Sequence, residues 1–239
     1  MTVNERIAKL RKLMAEKNID FYMIPSEDFH QSEYVGDYFK SREYITGFTG
    51  SAGTALITKD EALLWTDGRY FLQADIQLKG SEVKLMKTGE KDVPTIVEYV
   101  KSNIKEGQNV GFDGRVVPAV QGEVFELLLK KDCKIIYDYD LVDKIWQERA
   151  PLSDKKVFAL DLKYCGEDTR SKLSKIREAM KQKGATYHIL TTLDDISYIL
   201  NVRGDDVAYC PVVLSYAVIT MDKVNLYTDK AKFSDEIAK

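Results

Sequence analysis

The chain has 239 residues, 44% hydrophobic and 31% charged, with 35 basic against 38 acidic side chains and a net charge of -3. That near-balance excludes the basic footprint of a nucleic-acid binder, and no apolar run nears the roughly 20 residues that cross a bilayer. Three widely spaced cysteines, Cys133, Cys165 and Cys210, are odd in number, which reads as free thiols in a reducing compartment, with the cytoplasm expected.

The length allows two domains with separate cores. The N-terminal Met1-Thr2-Val3-Asn4-Glu5-Arg6 lacks an apolar h-region and is not read as a signal peptide. Thr2 and Glu5 have capping-box spacing ahead of Ile7, Leu10, Leu13 and Met14, so a first amphipathic helix is expected. Phe21-Tyr22-Met23-Ile24, closed by Pro25, predicts a strand covered on both faces. Residues 54–58 and 62–66 predict a hairpin around Lys59-Asp60-Glu61. Next come a helix over 70–78, a strand over 83–86, and a helix from Pro94 to about Ile104, ended by Gly107. A strand at 110–112, a helix over 119–131, an edge strand at 135–137 and a helix over 141–149 complete the first part. Strands and helices mixed at these spacings predict an α/β layer architecture with a mixed sheet.

The polar Pro151-Leu152-Ser153-Asp154-Lys155-Lys156 segment marks the domain boundary, giving 1–151 and 152–239. Beyond it the chain restarts. Ile7, Leu10 and Met14 leading through Asn18 to Phe21 are echoed by Leu173, Ile176 and Met180 leading through Gly184 to Tyr187. Asn and Gly both tolerate the left-handed conformation that closes a helix, so a duplication is expected. Strands over 187–190, 212–220 and 224–227, a short helix over 196–200 with Thr192 and Asp195 at capping-box spacing, and a helix beginning at 231 fill the shorter second part.

The glycines Gly47, Gly50 and Gly53 run into a β-branched strand rather than opening a helix, which argues for backbone turns over phosphate binding. The two histidines, His30 and His188, form no metal-ligand pattern; His188 is expected in a buried strand, while His30 sits in a loop available for function. No nucleophile elbow or catalytic cysteine frame occurs. Arg69 follows an Asp-Gly turn and precedes Tyr70-Phe71, so it either offers a planar fork to a carboxylate or carbonyl or pairs with Asp67. Arg203, in Asn201-Val202-Arg203-Gly204-Asp205-Asp206, occupies a similar glycine-flanked loop.

The strings Gly47 to Ala55 and Trp65-Thr66-Asp67-Gly68-Arg69-Tyr70-Phe71-Leu72-Gln73-Ala74, with Pro25-Ser26, His30 to Tyr34, Val142 to Trp146, Asp194 to Arg203 and Pro211 to Tyr216, carry a likeness over nearly the whole chain. It resembles the N-terminal portion of the three-domain Xaa-Pro aminopeptidases (aminopeptidase P) of the creatinase and prolidase superfamily. The resemblance implies two successive creatinase-N-terminal-like domains of mixed sheet and flanking helices, the second incomplete. It also implies a downstream pita-bread catalytic domain holding two divalent metal ions, usually manganese, through two Asp, one His and two Glu. No stretch here matches those ligands, so this chain alone is expected to be inactive and to have no catalytic or metal residues. The parent would remove the N-terminal residue before proline and act as a homodimer, with these domains shaping the substrate site. Arg69 is then the main expected substrate contact, followed by His30, Arg203 and Asp206. Ala208-Tyr209-Cys210 departs from the more usual His-Asn before Pro211. A free-standing binding or oligomerisation module that kept the fold without peptidase activity is the alternative.

Overall fold

Alternation along each strand divides the first sheet into two buried faces. A computed structural model describes residues 1–129, 132–234 and 237, which fall into two compact units, Met1–Ala150 and Pro151–Lys239. The first unit runs α1 (Val3–Glu16), β1 (Phe21–Pro25), α2 (Ser41–Thr46), β2 (Thr54–Thr58), β3 (Ala62–Thr66), α3 (Phe71–Gln77), β4 (Val83–Lys87), α4 (Ile96–Asn103), β5 (Val110–Phe112), α5 (Ala119–Leu128) and β6 (Ile135–Ile136). Its six strands form one sheet in the order β4-β3-β2-β1-β5-β6. Tyr22, Ile24, Ala55, Ile57 and Leu64 face a core with Ile7, Leu10 and Met14 of α1 and Ile45 of α2. Their strand neighbours Phe21, Met23, Leu56, Leu63 and Trp65 face the opposite core, with Val100 of α4 and Phe125 of α5. All five residues of β1 are buried, as their continuous apolar run predicts.

The second unit contains β7 (Phe158–Ala159), α6 (Leu162–Cys165), α7 (Thr169–Gln182), β8 (His188–Leu190), α8 (Leu193–Leu200), β9 (Val202–Arg203), β10 (Tyr216–Ile219) and β11 (Val224–Tyr227). The strands make a three-stranded sheet, β11-β10-β8, and a two-stranded ribbon, β7-β9. Met180, Leu190, Ile196, Ala217 and Ile219 form its main core.

The helix-to-strand passages of the two units are alike. In the first, the Ile19 amide donates to Met14 O at 2.9 Å past Asn18 at φ 54°. In the second, the Ala185 amide donates to Met180 O at 2.8 Å past Gly184 at φ 65°. Both are the six-to-one closure of a helix around a left-handed residue. β8 then pairs antiparallel with β10, and β10 with β11, repeating the antiparallel β1-β2-β3 series. The sheet connectivity thus repeats along with the helix ending.

Local signals placed most elements. Thr2 and Glu5 form the expected capping box, and Thr95 and Glu98 form a second one that starts α4. Residues 141–149 are turns rather than the expected helix. The Tyr22 hydroxyl accepts from the Leu141 amide at 3.0 Å and donates to Tyr139 O at 2.7 Å, holding the segment in another path. His188 is exposed, contrary to expectation, because β8 is an edge strand; Tyr187 and Ile189 beside it are 68% and 66% exposed. The strand expected over 212–220 is restricted to β10, since Val212 O serves the Asp206 amide of a loop instead of a ladder. Residues 130 and 131 of the helix expected over 119–131, and 235, 236, 238 and 239 of the expected terminal one, lie outside the described residues. The three cysteines are free, and among the described residues no helix is long and apolar enough to cross a membrane.

Candidate functional site at the carboxyl edge of the sheet

In the first unit β1 runs parallel to β5, β3 to β4 and β5 to β6, while β2 lies antiparallel between β1 and β3. Five strands therefore end on one edge of the sheet, and β2 begins there. That edge gathers the loop from Ser26 to Tyr34 after β1, the glycine loop from Gly47 to Gly53 before β2, and the Asp-Gly-Arg turns after β3 and β5. Carboxyl ends of strands are where open α/β sheets place ligands, because loops converge there over a rigid base.

The glycine loop is anchored from beneath by Arg42, which is 5% exposed. Its guanidinium donates to Phe48 O and Gly50 O, and its Nε donates to the Ser26 hydroxyl at 2.9 Å. Ser26 in turn donates to Gly53 O at 2.6 Å, and Thr66 donates to Ala52 O at 2.6 Å. Burial pushes the Arg42 pKa down to about 10, so the side chain stays charged at neutral pH. A Cβ on Gly50 would lie 2.2 Å from Phe48 Cζ and 2.7 Å from Tyr70 Cδ1, so this glycine is required by close approach. Nothing in Lys40-Ser41-Arg42-Glu43-Tyr44 distinguishes Arg42 from a solvated helix face, and sequence reasoning missed it.

Arg69 lies exposed on the rim, its side chain 64% accessible. Its Nε and Nη2 each donate to the Asp67 carboxylate at 2.9 Å, and its amide donates to Asp67 Oδ1 at 3.0 Å. The Asp67 hydrogen bond raises the guanidinium's pKa and lowers that of the carboxyl. The fork is thus held by Asp67, and the guanidinium carbon lies 5.2 Å from the centre of the Tyr70 ring. Glu33, from the loop after β1, is close enough to act electrostatically on Arg69. His30 is half-buried in that same loop, and its amide donates to Asp28 Oδ1 at 2.7 Å. The structure therefore brings Arg69 and the loop carrying His30 to one edge.

Asp28 is fully buried, and its Oδ2 has no hydrogen-bond partner among the described residues. Next to it, burial and then the Asp28 charge push the Glu27 carboxyl above its ordinary value of 4.5. A raised folded pKa gives stability that is complete below the unfolded value and is lost as pH rises through the folded one. Glu27→Gln, which cannot ionise, is accordingly expected to raise the melting temperature at about pH 7 and leave it unchanged at about pH 4. Equal shifts at both pH values in thermal melts would show that burial of the charge is not the cause.

A second Asp-Gly-Arg turn repeats the first. Arg115 Nε and Nη2 each donate to Asp113 at 2.9 Å, and its amide donates to Asp113 Oδ1 at 3.0 Å. Arg115 also reaches Asp140 at 3.2 Å and lies 5.3 Å from the Phe29 ring. Arg149 binds the other side of the same Asp140 oxygen at 2.6 Å. Sequence reasoning passed over Arg115, although the repeated Asp-Gly-Arg string was a legible signal.

Arg203 and Asp206 belong to the second unit, on and just after β9. Arg203 Nη1 donates to Ser197 O and Val202 O, both at 2.8 Å. Asp206 is 5% exposed; its Oδ2 accepts from Lys232 Nζ and from the Leu214 amide, both at 2.7 Å.

The family model for the Creatinase/Prolidase N-terminal domain matches residues 6–143, and a second model of the same description matches residues 148–239. The chain belongs to the creatinase/prolidase N-terminal domain family. Two such domains follow one another, each a mixed α/β unit. The sequence is 40% identical over 99% of its length to aminopeptidase P2 of Arabidopsis thaliana, and 42% identical to a probable Xaa-Pro aminopeptidase P of Neurospora crassa. It spans about a third of those relatives, 34% and 35% of their lengths. An X-prolyl aminopeptidase from Caenorhabditis elegans, described as a cytosolic enzyme with a di-nuclear active site, superposes with a TM-score of 0.92 at 34% identity, covering 100% of this chain and 40% of that one. Among the described residues of these creatinase-like domains, no group of three or more His, Cys, Asp or Glu side chains is placed to hold a metal ion. The donor set does not fit a metal centre, so no chemical step is assigned to one here.

Proposed function

We propose that the chain is the N-terminal, noncatalytic part of a metal-dependent aminopeptidase that removes the residue preceding proline. The observation that carries this reading is the likeness, over essentially the full chain, to proteins named as Xaa-Pro aminopeptidases. In this reading residues 1–151 form the first creatinase-like domain, 152–239 begin the second, and a downstream catalytic domain supplies two divalent ions, expected to be manganese. The two domains would narrow the substrate site and support a homodimer in the cytoplasm. Their own residues bind and orient; none transfers a proton.

Arg69 is the principal substrate-side contact, an exposed guanidinium whose Nε and Nη2 are held by Asp67, and the loop carrying His30 meets the same edge. Arg203 is a further substrate-side candidate in the second domain, and Asp206 acts by fixing the loop that follows it. The test is cleavage of an Xaa-Pro peptide with manganese by the full natural reading frame and by this chain alone. Turnover is expected only from the former; cleavage by this chain alone overturns the assignment. In the full-length enzyme Arg69→Ala is expected to raise KM about tenfold while leaving the melting temperature unchanged, because an exposed ion pair contributes little. An unchanged KM removes Arg69 from the substrate site.

A further inference from the structure

Among the described residues six non-glycine positions have positive φ. Five are Asn18, Gln31, Asp92, Asp132 and Asn201, whose amide or carboxylate side chains bond locally more easily than an aromatic one; the sixth is Tyr209, at φ 64°. The Cys210 amide donates to Val207 O at 3.1 Å, closing a four-residue turn with Tyr209 third. That position calls for glycine or asparagine when φ is positive. The tyrosine side chain itself does nothing among the described residues to offset the conformational cost. The Tyr209 side chain is fully exposed, at 103%, and it has no hydrogen bond or ring contact among the described residues.

The base beneath this tip is rigid. The Gly204 amide donates to Pro211 O at 3.3 Å, and Asp206 holds both Lys232 and the Leu214 amide. Leu193, Val207 and Val212 are buried together against Cys210 and Leu214. A Cβ on Gly204 would come within 2.8 Å of Val212 O, so the two sides of the loop pack too closely for a side chain at this position. A strained, uncovered aromatic ring on a fixed base is an outlier from which function is read.

We propose that Tyr209 is a specificity-determining residue for the peptide substrate, stacking its ring on the pyrrolidine ring of the substrate's proline; this rests on the peptidase reading above. The accessible residues around the ring, Ala208, Cys210 and Pro211, carry no charge, so the tip suits an apolar, preorganised ligand rather than an ionic one. A proline ring has little conformational freedom to lose on an aromatic face, and tyrosine has few rotors to fix.

The experiment uses the full-length protein with Tyr209→Gly and Tyr209→Phe, assayed on an Xaa-Pro peptide. Glycine suits the left-handed turn, so Tyr209→Gly is expected to melt no lower than wild type. Its KM is expected to rise about fivefold to tenfold with kcat within twofold, as for loss of one ring stack. Tyr209→Phe is expected to keep the wild-type KM. An unchanged KM in Tyr209→Gly overturns the inference while leaving the peptidase reading intact. So does a raised KM accompanied by a lower melting temperature or an altered oligomeric state, since the ring would then be packing against protein. If the wild type cleaves no Xaa-Pro peptide, the peptidase reading falls, and calorimetric titration with the same peptide decides the inference alone. Binding weakened in Tyr209→Gly upholds it, and equal or absent binding overturns it.

Discussion

Arg42→Met is expected to destabilise the first unit by about 3–5 kcal/mol. Methionine fills much of the volume but donates nothing. Phe48 O and Gly50 O then lose the donor they share, and each unsatisfied buried carbonyl costs about 1–3 kcal/mol. The Ser26 hydroxyl loses only one of two bonds, because it still donates to Gly53 O. For a unit of this size the change corresponds to a fall of about 10 °C in melting temperature. Arg42→Lys is expected to recover less than half, since a single ammonium head lacks the fork that spans two carbonyls. Urea unfolding followed through the first unit's tryptophans, Trp65 and Trp146, measures it. A loss below about 1 kcal/mol would mean that water satisfies the loop carbonyls, and Arg42 would no longer account for the position of the glycine loop.

Lys232→Met is expected to cost the second unit about 3–5 kcal/mol, because it leaves Asp206 charged and buried without its partner. The two side chains are 3% and 1% accessible, and among the described residues the Asp206 Oδ1 atom already lacks a hydrogen bond. Adding Asp206→Asn removes the stranded charge while an amide oxygen can still accept from the Leu214 amide. The double variant is therefore expected to be more stable than Lys232→Met alone by at least about 1.5 kcal/mol, and a double-mutant cycle in urea gives the coupling. Additive effects would show that the pair does not interact through its charge. Lys172 supplies a contrast, being buried with no carboxylate hydrogen-bonded to it among the described residues: its Nζ donates to Tyr198 O at 2.7 Å and Asn201 Oδ1 at 2.6 Å and sits 3.7 Å from the Tyr198 ring.

Both predictions concern residues that hold loops, not residues that meet a ligand. Arg42 makes the glycine loop a fixed floor beside Arg69, and the Asp206–Lys232 pair fixes the loop between Arg203 and Tyr209. A site built from loops reaches useful accuracy only when such supports are in place. The expected order of effects follows: supports move stability, and rim residues Arg69 and Tyr209 move KM.

Short-range pattern was enough for the elements whose causes lie within four residues. The Thr2–Glu5 box, the apolar run at Phe21 to Ile24, and the left-handed closures at Asn18 and Gly184 are each decided locally. The doubling of the fold was legible for the same reason, because each copy carries its own helix-ending residue. The Asp67–Arg69 pairing was one of two readings left open, and a separation of two residues made the pair geometrically easy. What only the folded chain decided involves partners far apart in sequence or a strand's place in its sheet. Tyr22 and Leu141, which meet over 119 positions, replaced an expected helix with turns. Asp206 and Lys232 meet over 26 positions, which drew a candidate site residue into the interior. His188 reads as buried by pattern, yet it lies on an edge strand that no neighbour covers. Local sequence selects backbone conformation through sterics and nearby hydrogen bonds, whereas burial of a charge depends on which distant group arrives to pair with it.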